Sequence, residues 1–140
     1  IPVIQTDRGG QITYHAPGQL LVYILFDLKR RSTKIREFIH DFETIMLNAV
    51  RYYLEEATLN KPEPGIFIKG KKIVSFGLKI ANGRSYHGAS INISMNMEPW
   101  KRINVCGKKN QQVTDLEKEG IPANVSDVSK VISQLVLTTF

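Results

Sequence analysis

The sequence predicts a single α+β domain, with a mixed, largely antiparallel sheet flanked by helices. Three observations carry this. Apolar residues recur every three or four positions from Ile35 to Leu54, and again from Val128 to Val136, as on amphipathic helices. Strand-like segments rich in Val, Ile, Tyr and Phe lie before the first helix and between the two. Asn82-Gly83 separates two of these segments, and both residues tolerate the positive φ that a two-residue hairpin turn requires. Strands on either side of a helix, two of them hairpin-linked, fit one mixed domain. At 140 residues such a domain buries about two-thirds of its unfolded surface.

Residues 1–6 read as extended, with Val3 and Ile4 apolar. Arg8-Gly9-Gly10 breaks the pattern, and paired glycines let a backbone turn tightly or approach a ligand closely. Ala16-Pro17-Gly18 is a turn, and the nine-residue apolar run Leu20 to Leu28 is expected to be one buried strand. The first helix takes Ser32 or Thr33 as N-cap and turns Phe38, Phe42, Ile45, Met46, Ala49 and Val50 inward, with His40 on the solvated face. Two prolines and a glycine make residues 60–65 a loop. Ile66 to Ile68 is a short strand, Lys72 to Ile80 a longer one, and the return strand runs from Ser85 to Met95 until Pro99 stops the pattern. Residues 100–112 form a polar loop. A short helix is expected over Thr114 to Glu119, closed by Gly120, and the last helix from Asp127, capped by Ser126.

The net charge of +6 suits solubility or an acidic macromolecular partner. The basic residues are dispersed, and no zinc-finger spacing or single-strand-binding aromatic pattern occurs, so no nucleic-acid partner is expected. No apolar run approaches the roughly 18 residues of a membrane span. A single cysteine allows no internal disulfide, and Ile1 to Ile4 shows neither a basic leader nor a cleavage site, which together suggest a cytoplasmic setting. The chain opens without Met and in mid-pattern, and reads as a fragment.

That cysteine, Cys106, lies 34 positions after Lys72. A free thiol with a pKa of about 8.5 is only about 3% thiolate at neutral pH. An ammonium about 4 Å away, at an effective dielectric of about 20, favours the thiolate by about 4 kcal/mol, roughly three pKa units. A Cys/Lys pair is therefore a plausible acyl-accepting nucleophile with its activator. Two other readings stay open: a small buried hydrophobe, or a Cys–His pair with His15 or His87. On a strand that turns Lys72 inward, Lys71 faces the other way. No metal-ligand spacing and no P-loop is found.

Several motifs have a family likeness. Arg8-Gly9-Gly10-Gln11-Ile12-Thr13-Tyr14-His15, Gly18-Gln19, Lys72-Ile73-Val74-Ser75-Phe76-Gly77, Ser85-Tyr86-His87-Gly88-Ala89, Asn92 and Arg102-Ile103-Asn104-Val105-Cys106-Gly107 occur in this order. Together they resemble the signature of the lipoyl(octanoyl) transferases, the lipoate-protein ligase B family, over nearly the whole chain. The resemblance implies a fold related to the biotin and lipoate ligases. It implies transfer of an octanoyl group from octanoyl-acyl carrier protein to a lysine of lipoyl domains, the first step of lipoate biosynthesis. The acceptors would be the lipoyl domains of 2-oxoacid dehydrogenase complexes and the glycine cleavage H protein. No cofactor is implied beyond the phosphopantetheine that carries the acyl group, and no metal. By resemblance Cys106 is the nucleophile that carries the acyl thioester, and Lys72 lowers its pKa. Substrate contacts fall on Arg8, Gly9, Gly10, Gln11, Ile12, Thr13, Tyr14, His15, Ser75, Phe76, Gly77, His87, Gly88, Ala89 and Ser90.

Three departures stand out. Ala16 replaces a frequent Gly, Val105 a frequent Pro, and the strand and helix that family members carry before Arg-Gly-Gly are not among these residues. Missing that element, the sheet is expected to leave an unpaired edge. The rival functions are an ATP-dependent lipoate or biotin ligase on the same fold, which would need no cysteine, and a non-enzymatic basic binding module.

Overall fold

A computed structural model describes residues 1–140, except the side chain of Cys106, which lies outside the described residues. In chain order the elements are β1 (Gln19–Tyr23), α1 (Ile35–Arg51), β2 (Thr58–Leu59), β3 (Gly65–Ile68), β4 (Lys71–Phe76), β5 (Lys79–Ala81), β6 (Arg84–Tyr86), β7 (Gly88–Asn92) and α2 (Val125–Thr139). Two 3₁₀ turns, Glu98–Arg102 and Val105–Gly107, lie between β7 and α2. Five strands form one sheet in the order β1-β7-β4-β3-β2, each pair antiparallel. The parallel pairing among the described residues is an isolated bridge between Lys72 and Val113.

The first helical stripe packs as expected. Phe38, Phe42, Ile45, Met46, Ala49 and Val50 are buried and share one core with Ile66, Ile68, Val74, Ala89 and Ile91 of the sheet and Val128 and Ile132 of α2. The helices thus take up one sheet face, and His40 is exposed. The β5–β6 ribbon turns at Asn82 and Gly83, with φ of 53° and 75°, in the register Ala81↔Arg84 that leaves a two-residue loop.

A β-bulge decides what the other face carries. Ile66 pairs with Val74, but the next residue, Phe67, pairs with Lys72, so Ile73 is the extra residue of β4. Without it, alternation would place Lys72 on the face of Val74, in the core. With it, Ile73 and Val74 are both buried in the apolar core, and Lys72 shares the opposite face with Ser75.

Several boundaries differ from expectation, each for a local reason. The run 20–28 is a strand only to Tyr23. Its continuation follows β6 instead, through Ile24 N–H to His87 O (3.0 Å) and Ser85 N–H to Phe26 O (2.9 Å). The return strand is split at His87, whose φ of 60° interrupts extended backbone. The segment 72–80 breaks at Gly77-Leu78, over which the Gly9 backbone lies: a Cβ on Gly9 would be 2.9 Å from Leu78 O. The N-cap position of α1 is Lys34, without a side-chain cap hydrogen bond, rather than Ser32 or Thr33: Ser32 adopts a φ of 51° and the Thr33 hydroxyl donates to Arg31 O. Thr114 to Glu119 is a turn rather than a helix: Asp115 accepts from Lys118 N–H (2.8 Å) and Gly120 has positive φ. The last helix starts at Val125, capped by the Asn124 side chain accepting from Asp127 N–H (2.8 Å).

The β1–β7 pair depends on one glycine. A Cβ on Gly88 would sit 1.8 Å from Val22 O, where no L side chain fits. Gly88→Ala is expected to destabilise the fold by about 3 kcal/mol, the upper part of the overpacking range. A urea midpoint equal to wild type would contradict the close approach.

Candidate active site

The face opposite the helices has a floor of small residues. Register aligns Gly65 with Ser75, Ser75 with Ser90, and Ser90 with Leu21, so one row crosses four strands without a bulky side chain until the β1 edge. A second row joins Gly77, whose N–H donates to Gly88 O (2.8 Å), to Gly88 opposite Tyr23. Leu21 and Tyr23 form an exposed apolar rim.

The segment from Arg8 to Thr13 lies over this floor. The Arg8 guanidinium donates to Gly9 O (3.0 Å) and Gln11 O (2.8 Å), which curls the segment around its own side chain. The segment packs closely on its neighbours: a Cβ on Gly77 would be 3.0 Å from Arg8 Cδ and 3.3 Å from Gly9 O. The Gln11 amide covers the 105–107 turn, since a Cβ on Gly107 would be 2.5 Å from Gln11 Oε1, and Gly107 has a φ of 70°. Two neighbouring hollows with shared walls result. The larger, about 210 Å³, is lined by Arg8, Gly10, Gln11, Ile12, Thr13, Pro64, Lys72, Ser75, Phe76 and Val105. The smaller adds His15, Leu21, Tyr23, Gly77, His87, Gly88, Ala89 and Ser90 to the shared Arg8, Thr13, Ser75 and Phe76. Thr13 Oγ1 is buried and has no hydrogen-bond partner among the described residues.

Lys72 is 3% exposed and enters the larger hollow past Gly65, where a Cβ would be 2.6 Å from Lys72 Cε. Its Nζ lies 6.0 Å from the Phe67 ring centroid. Its backbone is fixed by the segment that follows the cysteine turn: Lys72 N–H donates to Gln112 O (2.8 Å), and Thr114 N–H to Lys72 O (2.9 Å). Lys71 faces the other way, as alternation requires, and pairs with Glu119, which also accepts from Thr114 Oγ1 (2.6 Å). Burial raises the Glu119 carboxyl, but the Lys71 and Thr114 hydrogen bonds outweigh it and leave its pKa below the usual value.

A family model, the lipoyl protein ligase A/B catalytic domain, matches residues 1–137. The chain belongs to that family. Among curated relatives, the octanoyltransferase of Vibrio cholerae is 41% identical over 141 residues, covering 99% of this chain and 63% of that protein. The octanoyltransferase of Pseudomonas entomophila is 42% identical, covering 97% and 64%. The chain therefore spans a little under two-thirds of the relatives it matches. Among solved structures, a lipoate-protein ligase A bound with ATP superposes at a TM-score of 0.72 with 16% identity, covering 95% of this chain and 56% of that one. The biotin protein ligase of Aquifex aeolicus gives 0.66 with 16% identity, covering 87% and 52%. These likenesses establish the expected ligase-like fold.

Within the lipoyl protein ligase A/B frame, most of the expected substrate positions converge. Arg8, Gly10, Gln11, Ile12, Thr13, His15, Ser75, Phe76, Gly77, His87, Gly88, Ala89 and Ser90 line one or both hollows. Two do not. Gly9 backs the segment against Leu78, and Tyr14 packs edge-on against Trp100 (5.5 Å). Cys106 is the middle residue of the Val105–Gly107 turn, and its side chain lies outside the described residues. Neither histidine is a lone base: His15 Nδ1 bonds Gln19 Oε1 (2.7 Å), and His87 Nε2 bonds Asp7 Oδ1 (2.8 Å). Two backbone donors beside the cleft are already engaged: Gly77 N–H donates to Gly88 O (2.8 Å), and Gly107 N–H to Asn104 O (2.9 Å).

Sequence reasoning passed over Asp7. Its carboxylate accepts from His87, Lys79 (3.2 Å) and the Tyr86 hydroxyl (3.1 Å), and so ties the segment before Arg8 to the β5–β6 ribbon. The His87 hydrogen bond, then that of Lys79, hold the Asp7 carboxyl well below the usual range. A depressed carboxylate stabilises the fold above its unfolded pKa, 3.8, and loses that contribution as pH falls towards the folded value. Asp7→Asn is therefore expected to lower stability at neutral pH, with a deficit that shrinks as pH falls below 3.8. Urea midpoints across pH measure this, and a deficit that grows on acidification would contradict it.

Proposed function

We propose that this chain carries octanoyl transfer from octanoyl-acyl carrier protein to a lysine of lipoyl domains, through a thioester on Cys106. The observation that carries the reading is the cleft itself. A buried lysine enters it on one side, Val105 beside Cys106 walls it on another, and its floor is cleared to Gly and Ser. A thiolate beside a buried ammonium offsets part of the cost of removing each charge from water.

In the first half-reaction the Cys106 thiolate attacks the carbonyl carbon of the donor thioester. The C–S bond to the carrier arm breaks, and that arm leaves as a thiolate, which takes up a proton. In the second, the neutral amine of the acceptor lysine attacks the Cys106 thioester. An amide forms, the amine proton is released, and the Cys106 thiolate returns. Lys72 as an ammonium stabilises the thiolate at both ends of the cycle. The octanoyl chain lies over the small-residue floor towards Leu21 and Tyr23, where each buried CH₂ contributes about 0.8 kcal/mol. The partners are the acyl carrier protein and the lipoyl domains of 2-oxoacid dehydrogenase complexes and the glycine cleavage H protein. The setting is the cytoplasm, and no metal or separate cofactor takes part.

Intact-protein mass spectrometry after incubation with octanoyl-acyl carrier protein, without ATP, is expected to show one octanoyl adduct on the chain. Cys106→Ser should lose both the adduct and transfer to a lipoyl domain. Full transfer by the serine variant, or a strict requirement for ATP, would refute the reading.

A further inference from the structure

A second cavity, about 430 Å³, lies on the other side of the 103–113 segment. Its volume falls in the range of small-ligand sites. Met97, Trp100, Ile103 and Val113 give it an apolar wall, and Lys101 and Lys118 stand at it. The two lysines are exposed, and neither is paired with a carboxylate among the described residues. The acids nearby are already engaged: Glu98 with Arg102, Glu119 with Lys71, and both Asp115 oxygens with backbone N–H groups. Trp100 is 4% exposed, and its indole N–H is buried without a hydrogen-bond partner among the described residues. A buried donor of this kind is uncommon unless a ligand or water meets it.

The cavity adjoins the proposed nucleophile from behind. Ile103 and Asn104 line it just before Cys106 and Asn110 just after, while Val105 lines the acyl cleft. Adjacent residues of β4 repeat the division: Lys72 lines the acyl cleft and Lys71 the second cavity. The cysteine turn is thus a partition between a hollow floored with small residues and a basic, amide-lined one. A thioester donor has these two halves: an acyl chain on one side of the sulfur, and an amide-bearing, phosphorylated arm on the other.

We propose that the second cavity is the subsite for the phosphopantetheine arm of the acyl donor, its phosphate met by Lys101 and Lys118 and its amides by Asn104 and Asn110. This rests on the acyl-transfer reading above. The phosphate contact is to solvent-facing lysines, so it weakens with salt.

The test uses two small donors that differ by one phosphate, octanoyl-phosphopantetheine and octanoyl-pantetheine. The protein is expected to prefer the phosphorylated donor about tenfold in kcat/KM, the size of one charge-assisted hydrogen bond, through KM. Lys101→Ala/Lys118→Ala should bring the ratio of the two donors close to one. Lys130→Ala, an exposed lysine on α2, should keep it. Because the readout is a ratio within one protein preparation, partial unfolding of a variant does not imitate the effect. Equal use of both donors by the wild type, or a preference that survives the double substitution, would overturn the subsite alone. Transfer from octanoyl-acyl carrier protein but from neither small donor would also overturn the subsite, whereas transfer from none of the three would overturn the acyl-transfer reading, and the subsite with it.

Discussion

One extra residue in β4 sets which face of the sheet Lys72 occupies. Ile73 has no partner in β3, so the alternation of β4 slips by one between Lys72 and Val74. Both apolar residues then reach the helices, and Lys72 emerges on the face that Gly65, Ser75 and Ser90 leave open. On the core side an ammonium would lie among apolar side chains, at an effective cost of several kcal/mol. The bulge therefore reconciles a continuous apolar core with a lysine in the same strand.

The remaining devices work around that lysine. Gly65 clears its path, and residues 112–114 clamp its backbone on the side away from β3. The clamp follows the cysteine turn within a few residues, so Lys72 and Val105–Gly107 are held by a short stretch of chain. Gln11 covers Gly107 from above, and Arg8 fixes the segment that carries Gln11. Distant motifs of the sequence thus meet in close contacts at glycines: Gly9 against Leu78, Gly77 against Arg8, Gly107 against Gln11.

Much of this was legible in the amino acids. The apolar stripe of α1 is dense enough to fix both the helix and its buried face, and Asn82-Gly83 fixes the hairpin because both residues take positive φ. The opposition of Lys71 and Lys72 follows from strand geometry alone. What stayed hidden was non-local. No residue type announces that Ile73 is the bulged one, since an isoleucine fits a regular strand equally well. His87 ends a strand through a left-handed φ, and its bond to Asp7 spans 80 positions. Asp115 turns its carboxylate onto two backbone N–H groups, so Thr114 to Glu119 closes as a turn despite a helical composition. Caps moved for the same reason: Thr33 engages the turn before it, and Asn124 reaches Asp127.

The central claim is that the bulge-directed Lys72, and not its neighbour, activates Cys106. The most direct measurement is the pH dependence of Cys106 alkylation by iodoacetamide, where the single cysteine makes the signal unambiguous. In the native chain the rate should rise with a midpoint below the ordinary thiol value of about 8.5. In Lys72→Met the midpoint should move upward, while Lys71→Met should leave it in place. A midpoint unmoved by Lys72→Met would remove the lysine from the activation of the thiol and contradict the role assigned to the bulge.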